Sequence, residues 1–404
     1  MERKNAWAAY AGDDGRVEAF AKAYCDFINN GKTERECVAY GEKLAKAHGF
    51  EDLNAVVRSG RKLEAGARVY ANWMGKSFML FVLGEKPLEE GMNILGAHID
   101  SPRIDVKQNP LYEDTDLAYL DTHYYGGIKK YQWVAIPLAL HGVIVRKTGE
   151  KVSINIGEDE NDPVFCISDL LVHLAQEQMT KNAKEVVEGE ALNLIVGGRP
   201  LEGEEKDAVK ANVLKLLADK YGVEEEDFLS AELEIVPAGK ARDMGFDRSM
   251  ILAYGHDDRV CAYPSMMAVL DYEGTPEYTL CCIVTDKEEI GSGATGMASH
   301  YLENTVAELY ACTADYCELA GRRCLRNSRM LSSDVSAGYD PNFASAFEKK
   351  NSAFLGRGIC FNKFTGSRGK SGSNDANPEF MASLRKIMDD AGVAFQTAEL
   401  GRVD

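Results

Sequence analysis

No apolar stretch in this 404-residue sequence approaches the length of a membrane span, which argues against a membrane role. The opening Met1-Glu2-Arg3-Lys4-Asn5-Ala6-Trp7 is not followed by the apolar core of a signal peptide. Positive charge is scarce. Lys and Arg number 46 against 64 Asp and Glu, a net charge of −18 that argues against nucleic acid and anionic membranes as partners. The same field opposes acidic ligands at long range, so a site for one needs a local basic patch. The ten cysteines form no disulfide framework, and Cys312, Cys317 and Cys324 lack zinc-finger spacing, so they read as buried thiols of a reduced cytoplasm. The Gly-rich run Gly366 to Ser373 lacks the Walker spacing of a phosphate loop. No internal repeat or low-complexity segment is evident.

What the sequence does have is a costly arrangement of acids. The apolar run Tyr278 to Val284 leads into Asp286-Lys287-Glu288-Glu289-Ile290-Gly291-Ser292. Adjacent carboxylates at the end of a buried strand repel each other and resist desolvation unless partnered. A divalent cation suits one of them, and the other can serve as general base beside it. A solvated acidic turn is the plainer explanation for such a pair taken alone.

Three further segments change the balance. Met92-Asn93-Ile94-Leu95 reads as a buried strand running into Gly96-Ala97-His98-Ile99-Asp100-Ser101-Pro102. In extended backbone His98 and Asp100 share a face, so Asp100 can orient the imidazole. Gly255-His256-Asp257-Asp258-Arg259 opens a helix-like segment. An acid there can cap the helix or bridge two cations, and Asp257 is favoured over Asp258 for the bridge. Arg259 then holds the acids in register. Met330-Leu331-Ser332-Ser333-Asp334-Val335 adds a fourth acid at the end of a short strand. One His and three acids at four strand ends of an alternating strand and helix chain match the place where open α/β sheets gather their sites. Mixed imidazole and carboxylate ligands suit zinc, cobalt or manganese, and a pair of such ions about 3.5–4 Å apart serves hydrolysis.

At roughly 150 residues per domain, two domains are expected. Helices are expected over Val17 to Asn30 and Thr33 to His48, the second opened by a Thr33/Glu36 capping box. Residues 103 to 240 carry short alternating runs, whereas strand and helix alternate on either side. A β-rich insertion inside a split α/β catalytic domain accounts for this pattern.

The ordered segments Gly-Ala-His-Ile-Asp-Ser-Pro, Asp-Asp-Arg, Asp-Lys-Glu-Glu-Ile-Gly-Ser and Ser-Ser-Asp-Val make the chain resemble the M18 metallopeptidases, the aspartyl aminopeptidases. The resemblance implies an α/β fold. A zinc-peptidase-like catalytic domain with a central mixed sheet flanked by helices (1–102 and 241–404) would be split by an inserted β-rich dimerisation domain (103–240). It implies two divalent ions, zinc first and cobalt or manganese as alternatives. His98 and Glu289 would bind different ions, Asp257 would bridge them, Asp334 would join His98, and Glu288 would be the general base. His173, in Ile167 to Leu174, resembles a family histidine that reaches the partner subunit's site and stabilises an oxyanion there. The expected activity is removal of an N-terminal Asp or Glu from peptides, by homodimers assembled into a dodecamer. Arg368 and Lys370 are the candidate substrate-binding cations.

The family has a further Gly-rich segment, helix, strand and final His beyond this point. Here the sequence stops at Glu399 to Asp404, and none of its seven histidines follows His300. The resemblance therefore implies a chain short of one metal ligand, as a gene fragment or shortened form. Two alternatives are a broad-specificity aminopeptidase of the M42 type and a catalytically incomplete assembly or peptide-binding fragment.

Overall fold

The structure is a computed structural model that describes residues 5–12, 14–296, 299–365 and 374–402. It divides into two compact units, Tyr24–Ser333 and the pair of segments Met1–Ala23 and Asp334–Asp404.

The chain opens with helices α1 (Asp14–Asn30) and α2 (Glu34–Ala47). The capping box expected from the sequence starts α2. Thr33 Oγ1 accepts from the Glu36 amide at 3.2 Å, and Glu36 Oε2 accepts from the Thr33 amide at 3.1 Å. Strand β1 (Glu51–Asp52) and helix α3 (Leu53–Ser59) follow, then β2 (Arg68–Trp73), β3 (Ser77–Val82) and β4 (Met92–His98). Six strands come next: β5 (Arg103–Asp114), β6 (Leu117–Tyr125), β7 (Leu138–Val145), β8 (Lys151–Ile156), β9 (Leu194–Gly197) and β10 (Ala231–Pro237), with α4 (Ala208–Tyr221) before the last. A hairpin of β11 (Arg242–Met244) and β12 (Met250–Leu252) precedes α5 (His256–Leu270). The large unit ends with β13 (Thr279–Thr285), α6 (Tyr301–Thr313), α7 (Glu318–Asn327) and β14 (Arg329–Ser332).

The first sheet has the order β1-β2-β3-β13-β4-β14 and is mixed. β13 and β14 both run parallel to β4, whereas β3 is antiparallel to β13. The C-terminal ends of three neighbouring strands therefore reach one edge, with Thr285 opposite His98 and Ser332 opposite Gly96. Every side chain of β3 is buried, the mark of a strand covered on both faces. On one face Met79, Phe81, Ile94 and Cys281 pack with residues of α3, α6 and α7. Helices α2 and α5 cover the other. Their approach is close enough that a Cβ on Gly41 would touch both Phe78 and Met266 at 3.3 Å.

The second sheet, β8-β7-β10-β5-β6-β9, is antiparallel throughout and built wholly from residues 103–237. It has its own core, in which Ile104, Leu120, Leu138 and Ile235 pack with Val209 of α4 and with Phe228. Only Ile99 to Pro102 separate β4 of the first sheet from β5 of the second.

In the smaller unit, β15 (Ile359–Asn362) pairs in parallel with β16 (Phe395–Ala398), and α8 (Pro378–Asp390) lies between them in sequence. Asn377 caps α8 through the Phe380 amide at 2.7 Å. The side-chain amide of Gln396 donates to the carbonyls of Phe354 and Gly358, fixing the loop before β15. Among the described residues no helix is long and apolar enough to cross a membrane, and all ten cysteines are unpaired thiols.

Candidate metal centre

His98 ends β4 and is buried. Its Nδ1 lies 3.0 Å from the backbone oxygen of Asp100 and 3.3 Å from Asp100 Oδ1. A carbonyl only accepts, so Nδ1 carries the proton and Nε2 presents its lone pair. Nε2 faces Asp257 Oδ1 at 3.2 Å and Glu288 Oε2 at 3.9 Å. Two acceptors at that distance repel unless something positive lies between them. Asp257 Oδ1 is buried and makes no hydrogen bond. This oxygen and the facing imidazole nitrogen are the donor set of a borderline cation such as zinc, so the residues present fit one.

Asp257 reaches this place from a helix start, not from a strand of the first sheet. It follows Gly255 and His256 at the beginning of α5, and its carbonyl accepts from Ser101 Oγ at 2.6 Å. Within the large unit, the gathering at strand ends expected from sequence is thus the ends of β4 and β13 and one helix start. The adjacent acid faces elsewhere. Asp258 is fully buried beneath β4, and its Oδ2 accepts from the His98 amide at 3.4 Å.

Arg259 does not hold these acids in register, as the sequence suggested. Its Nε donates to the Ile99 carbonyl and its Nη2 to the Lys32 carbonyl, at 3.1 and 3.0 Å. It pins the backbone just after His98 to the start of α2. The room for this comes from Gly255 (φ +84°), where a Cβ would stand 1.9 Å from Arg259 Nη1.

The paired acids follow β13 and are set by the residue before them. Asp286 is fully buried. Its Oδ2 accepts from Thr295 Oγ1 at 2.8 Å and Lys287 Nζ at 2.9 Å, while its amide donates to Ser77 Oγ at 3.2 Å. The turn so anchored sends the amides of Glu288 and Glu289 to Asp100, each at 3.2 Å, on Oδ1 and Oδ2 respectively. Asp100 is therefore a hub. Burial alone would raise its pKa, but hydrogen bonds from His98 and from the Tyr125 hydroxyl hold it below the usual carboxylate value. Glu289 goes the other way. Burial first, then the negative charge of Asp257, pushes its carboxyl up to about 7. A cluster of acids that resists full ionisation is one that a cation would relieve.

Comparison with known proteins decides the family. The family model for aminopeptidase I zinc metalloproteases (M18) matches residues 27–404. The chain belongs to the M18 family. A probable M18 family aminopeptidase 1 from Clostridium acetobutylicum is 58% identical over 408 residues, covering 100% of this chain and 87% of that protein. The crystal structure of an M18 aminopeptidase from Thermotoga maritima superposes with a TM-score of 0.94 at 42% identity, covering 100% of this chain and 88% of that one. The S. cerevisiae mApe1 dodecamer shares the fold at a TM-score of 0.74 and 20% identity, over 96% of this chain and 86% of that one.

The M18 assignment makes the chain an aminopeptidase of the zinc-dependent class and sets aside the M42 alternative. It also fixes the mixed α/β fold. Within the large unit the structure brings together His98, Asp100, Asp257, Glu288 and Glu289. Asp334 is the first residue of the segment that begins the other unit. It follows Ser333, whose amide donates to the Gly96 carbonyl at 2.7 Å, and its own carboxylate accepts from the Val335 amide. His173 sits on a single exposed turn, Val172–Leu174, and enters none of the hydrogen bonds or ion pairs of the His98 group. Arg368 and Lys370 lie outside the described residues.

Sequence reasoning missed Tyr125 and the anchoring role of Asp286. The signal for Asp286 was available: an acid directly after the apolar run Tyr278 to Val284 and Thr285 needs an internal partner.

Proposed function

We propose that this M18 aminopeptidase removes acidic N-terminal residues, Asp or Glu, from peptides with the help of two divalent ions. Zinc is the first choice and cobalt or manganese the alternatives. One observation carries the reading. The Nδ1 of His98 is committed to Asp100, so Nε2 is turned towards Asp257 and Glu288, with the raised carboxyl of Glu289 beside them.

In this reading His98 and Glu289 would hold different ions, Asp257 would serve both, and Asp334 would join His98. When bound, such ions polarise the scissile carbonyl and acidify a water. Glu288, a partly exposed carboxylate, accepts the proton of the attacking water on its side-chain oxygen. Asp100 keeps the imidazole in one tautomer and orientation throughout.

The substrate preference rests on the family resemblance, with Arg368 and Lys370 as the cations that would overcome the net charge of −18 locally. Residues 103–240 would be the dimerisation domain, supported by their separate sheet and core. His173 would serve a partner subunit, in keeping with its exposed apolar turn, and the dimers would build a dodecamer like that of the yeast relative. Ten unpaired thiols suit a reduced cytoplasm.

The test pairs a Glu288→Gln variant with metal analysis by mass spectrometry. Metal content is expected to stay unchanged while cleavage of aspartyl- and glutamyl-p-nitroanilide falls about 10²–10⁴-fold. A variant that cleaves at near the wild-type rate would remove Glu288 from the mechanism. Equal or better cleavage of leucyl- and alanyl-p-nitroanilide by the wild type would remove the acidic preference.

A further inference from the structure

Tyr125 is the last residue of β6, in the second sheet, yet its hydroxyl donates to Asp100 Oδ2 at 2.7 Å. Its side chain is buried, and the Arg103 guanidinium lies 3.8 Å from its ring centroid. That stack is fixed by strand pairing, since Arg103 and Tyr125 are opposite each other in the β5–β6 ladder. Arg103 is itself immobilised by Asp105, Glu234 and Glu34, at 2.8, 3.2 and 3.3 Å. The next residue, Gly126 (φ +71°), passes Glu289 so closely that a Cβ there would touch the Glu289 Cβ at 3.3 Å. The end of β6 thus packs on both Asp100 and Glu289.

Asp100 has four side-chain contacts to serve with two oxygens. Oδ1 faces His98 Nδ1 and the Glu288 amide, and Oδ2 takes the Glu289 amide and the Tyr125 hydroxyl. The amide bonds are long, at 3.2 Å, and the phenol bond is the shortest of the set. A carboxylate held mainly by weak amide bonds can rotate about its χ2 axis. A strong donor on the oxygen away from the imidazole stops that rotation.

We propose that Tyr125 is a positioning residue of the centre. It locks the Asp100 carboxylate, and through it the His98 imidazole and the Glu288-Glu289 turn, onto the second sheet. The proposal rests on the metallopeptidase reading for its catalytic consequence, but not for the contact itself.

The test is Tyr125→Phe, which keeps the ring on Arg103 and deletes only the hydroxyl. Three quantities are measured on the purified protein: amide hydrogen exchange over residues 283–292, zinc affinity by chelator competition, and kcat with KM. Exchange at the Glu288 and Glu289 amides is expected to quicken about five- to tenfold, with β3 and β6 peptides within about twofold. Zinc affinity is expected to fall about 10–100-fold, and kcat to drop with KM within about threefold. Unchanged exchange at Glu288 and Glu289 overturns the proposal. So does faster exchange spread evenly over both sheets, because that marks a loss of packing. A wild-type protein that binds no zinc and cleaves no peptide removes the functional reading instead, and the exchange arm then decides alone whether Tyr125 holds the turn.

Discussion

Two of the carboxylate clusters in the large unit differ in whether a Lys or Arg is built into them. Glu34, Glu232 and Glu234 bring oxygens within 4.8 Å of one another, a spacing that would admit a metal ion. Their counterions are already in place. Lys76 Nζ is 2.7 Å from both Glu34 and Glu232, Arg103 reaches Glu34 and Glu234, and Arg35 lies 2.6 Å from Glu232. Burial works against ionising Glu34, but Arg103 and Lys76 outweigh it and hold that carboxyl far below its usual value. At the candidate centre, by contrast, Asp257 and Glu288 face an imidazole whose other nitrogen is committed to Asp100. There Glu289 is pushed up by burial and by Asp257, whereas in the first cluster the burial that raises Glu234 is opposed by Arg103. Crowded carboxylates alone do not make a metal site. What distinguishes one is crowding without a built-in cation.

The most severe way to break this comparison is to remove a counterion from the first cluster. Arg103→Met would leave Glu34 and Glu234 buried and Asp105 half-buried with one cation fewer, and would free the ring of Tyr125. The expected cost is about 3–5 kcal/mol of stability, because Glu34 and Glu234 have no access to water. Urea denaturation followed by circular dichroism measures it. A loss under about 1 kcal/mol would mean that the network is not the joint between the two sheets that its strands suggest.

The same kind of change at the second cluster should act in the other direction. Asp257→Asn removes a negative charge from a group of acids, so metal-free stability is expected to stay within about 1 kcal/mol of the wild type or rise. Zinc affinity should fall at least about a hundredfold, equivalent to about 2.7 kcal/mol. Chelator competition and thermal melts with and without zinc separate the two effects. A variant that loses stability without zinc but keeps its affinity would make Asp257 a structural partner of His98.

Much of this was legible in the sequence, and the parts that were share a feature: their partners are close in the chain. The Thr33/Glu36 box spans three residues, and His98 with Asp100 spans two. The convergence of β4, β13 and β14 on one edge followed from the alternation of strand and helix, which favours parallel neighbours. Arg259 was misread because its sequence neighbours are acids. In the fold it turns away from them to carbonyls 160 and 227 residues distant. Tyr125 was invisible for a related reason. Nothing in the alternating pattern of β6 marks its last residue as a donor to a carboxylate on another sheet, and only the β5–β6 register with the short Ile99–Pro102 link brings it there.

A third cluster offers the gentlest test, because its counterion can be titrated. His141 on β7 is buried between Glu36 Oε1, 2.8 Å from Nδ1, and Glu158 Oε1, 3.3 Å from Nε2. Burial alone would lower its pKa, but the hydrogen bonds it donates to Glu158 and Glu36 more than reverse this, and the net shift is upward. The folded protein therefore holds a proton here that the unfolded chain begins to release near pH 6.5. The stabilisation is complete below that pH and is lost as pH rises through the folded-state value. Because Glu36 also closes the capping box of α2, the loss should be felt first at the junction of α2 with β7. Stability of the wild type is expected to decline as pH is raised above 6.5. His141→Gln should cost about 1 kcal/mol at pH 6 and flatten the decline. Parallel pH profiles for the two proteins would show that His141 stays neutral between its two acids. Lys32, paired with Glu158, would then be the cation that balances the cluster.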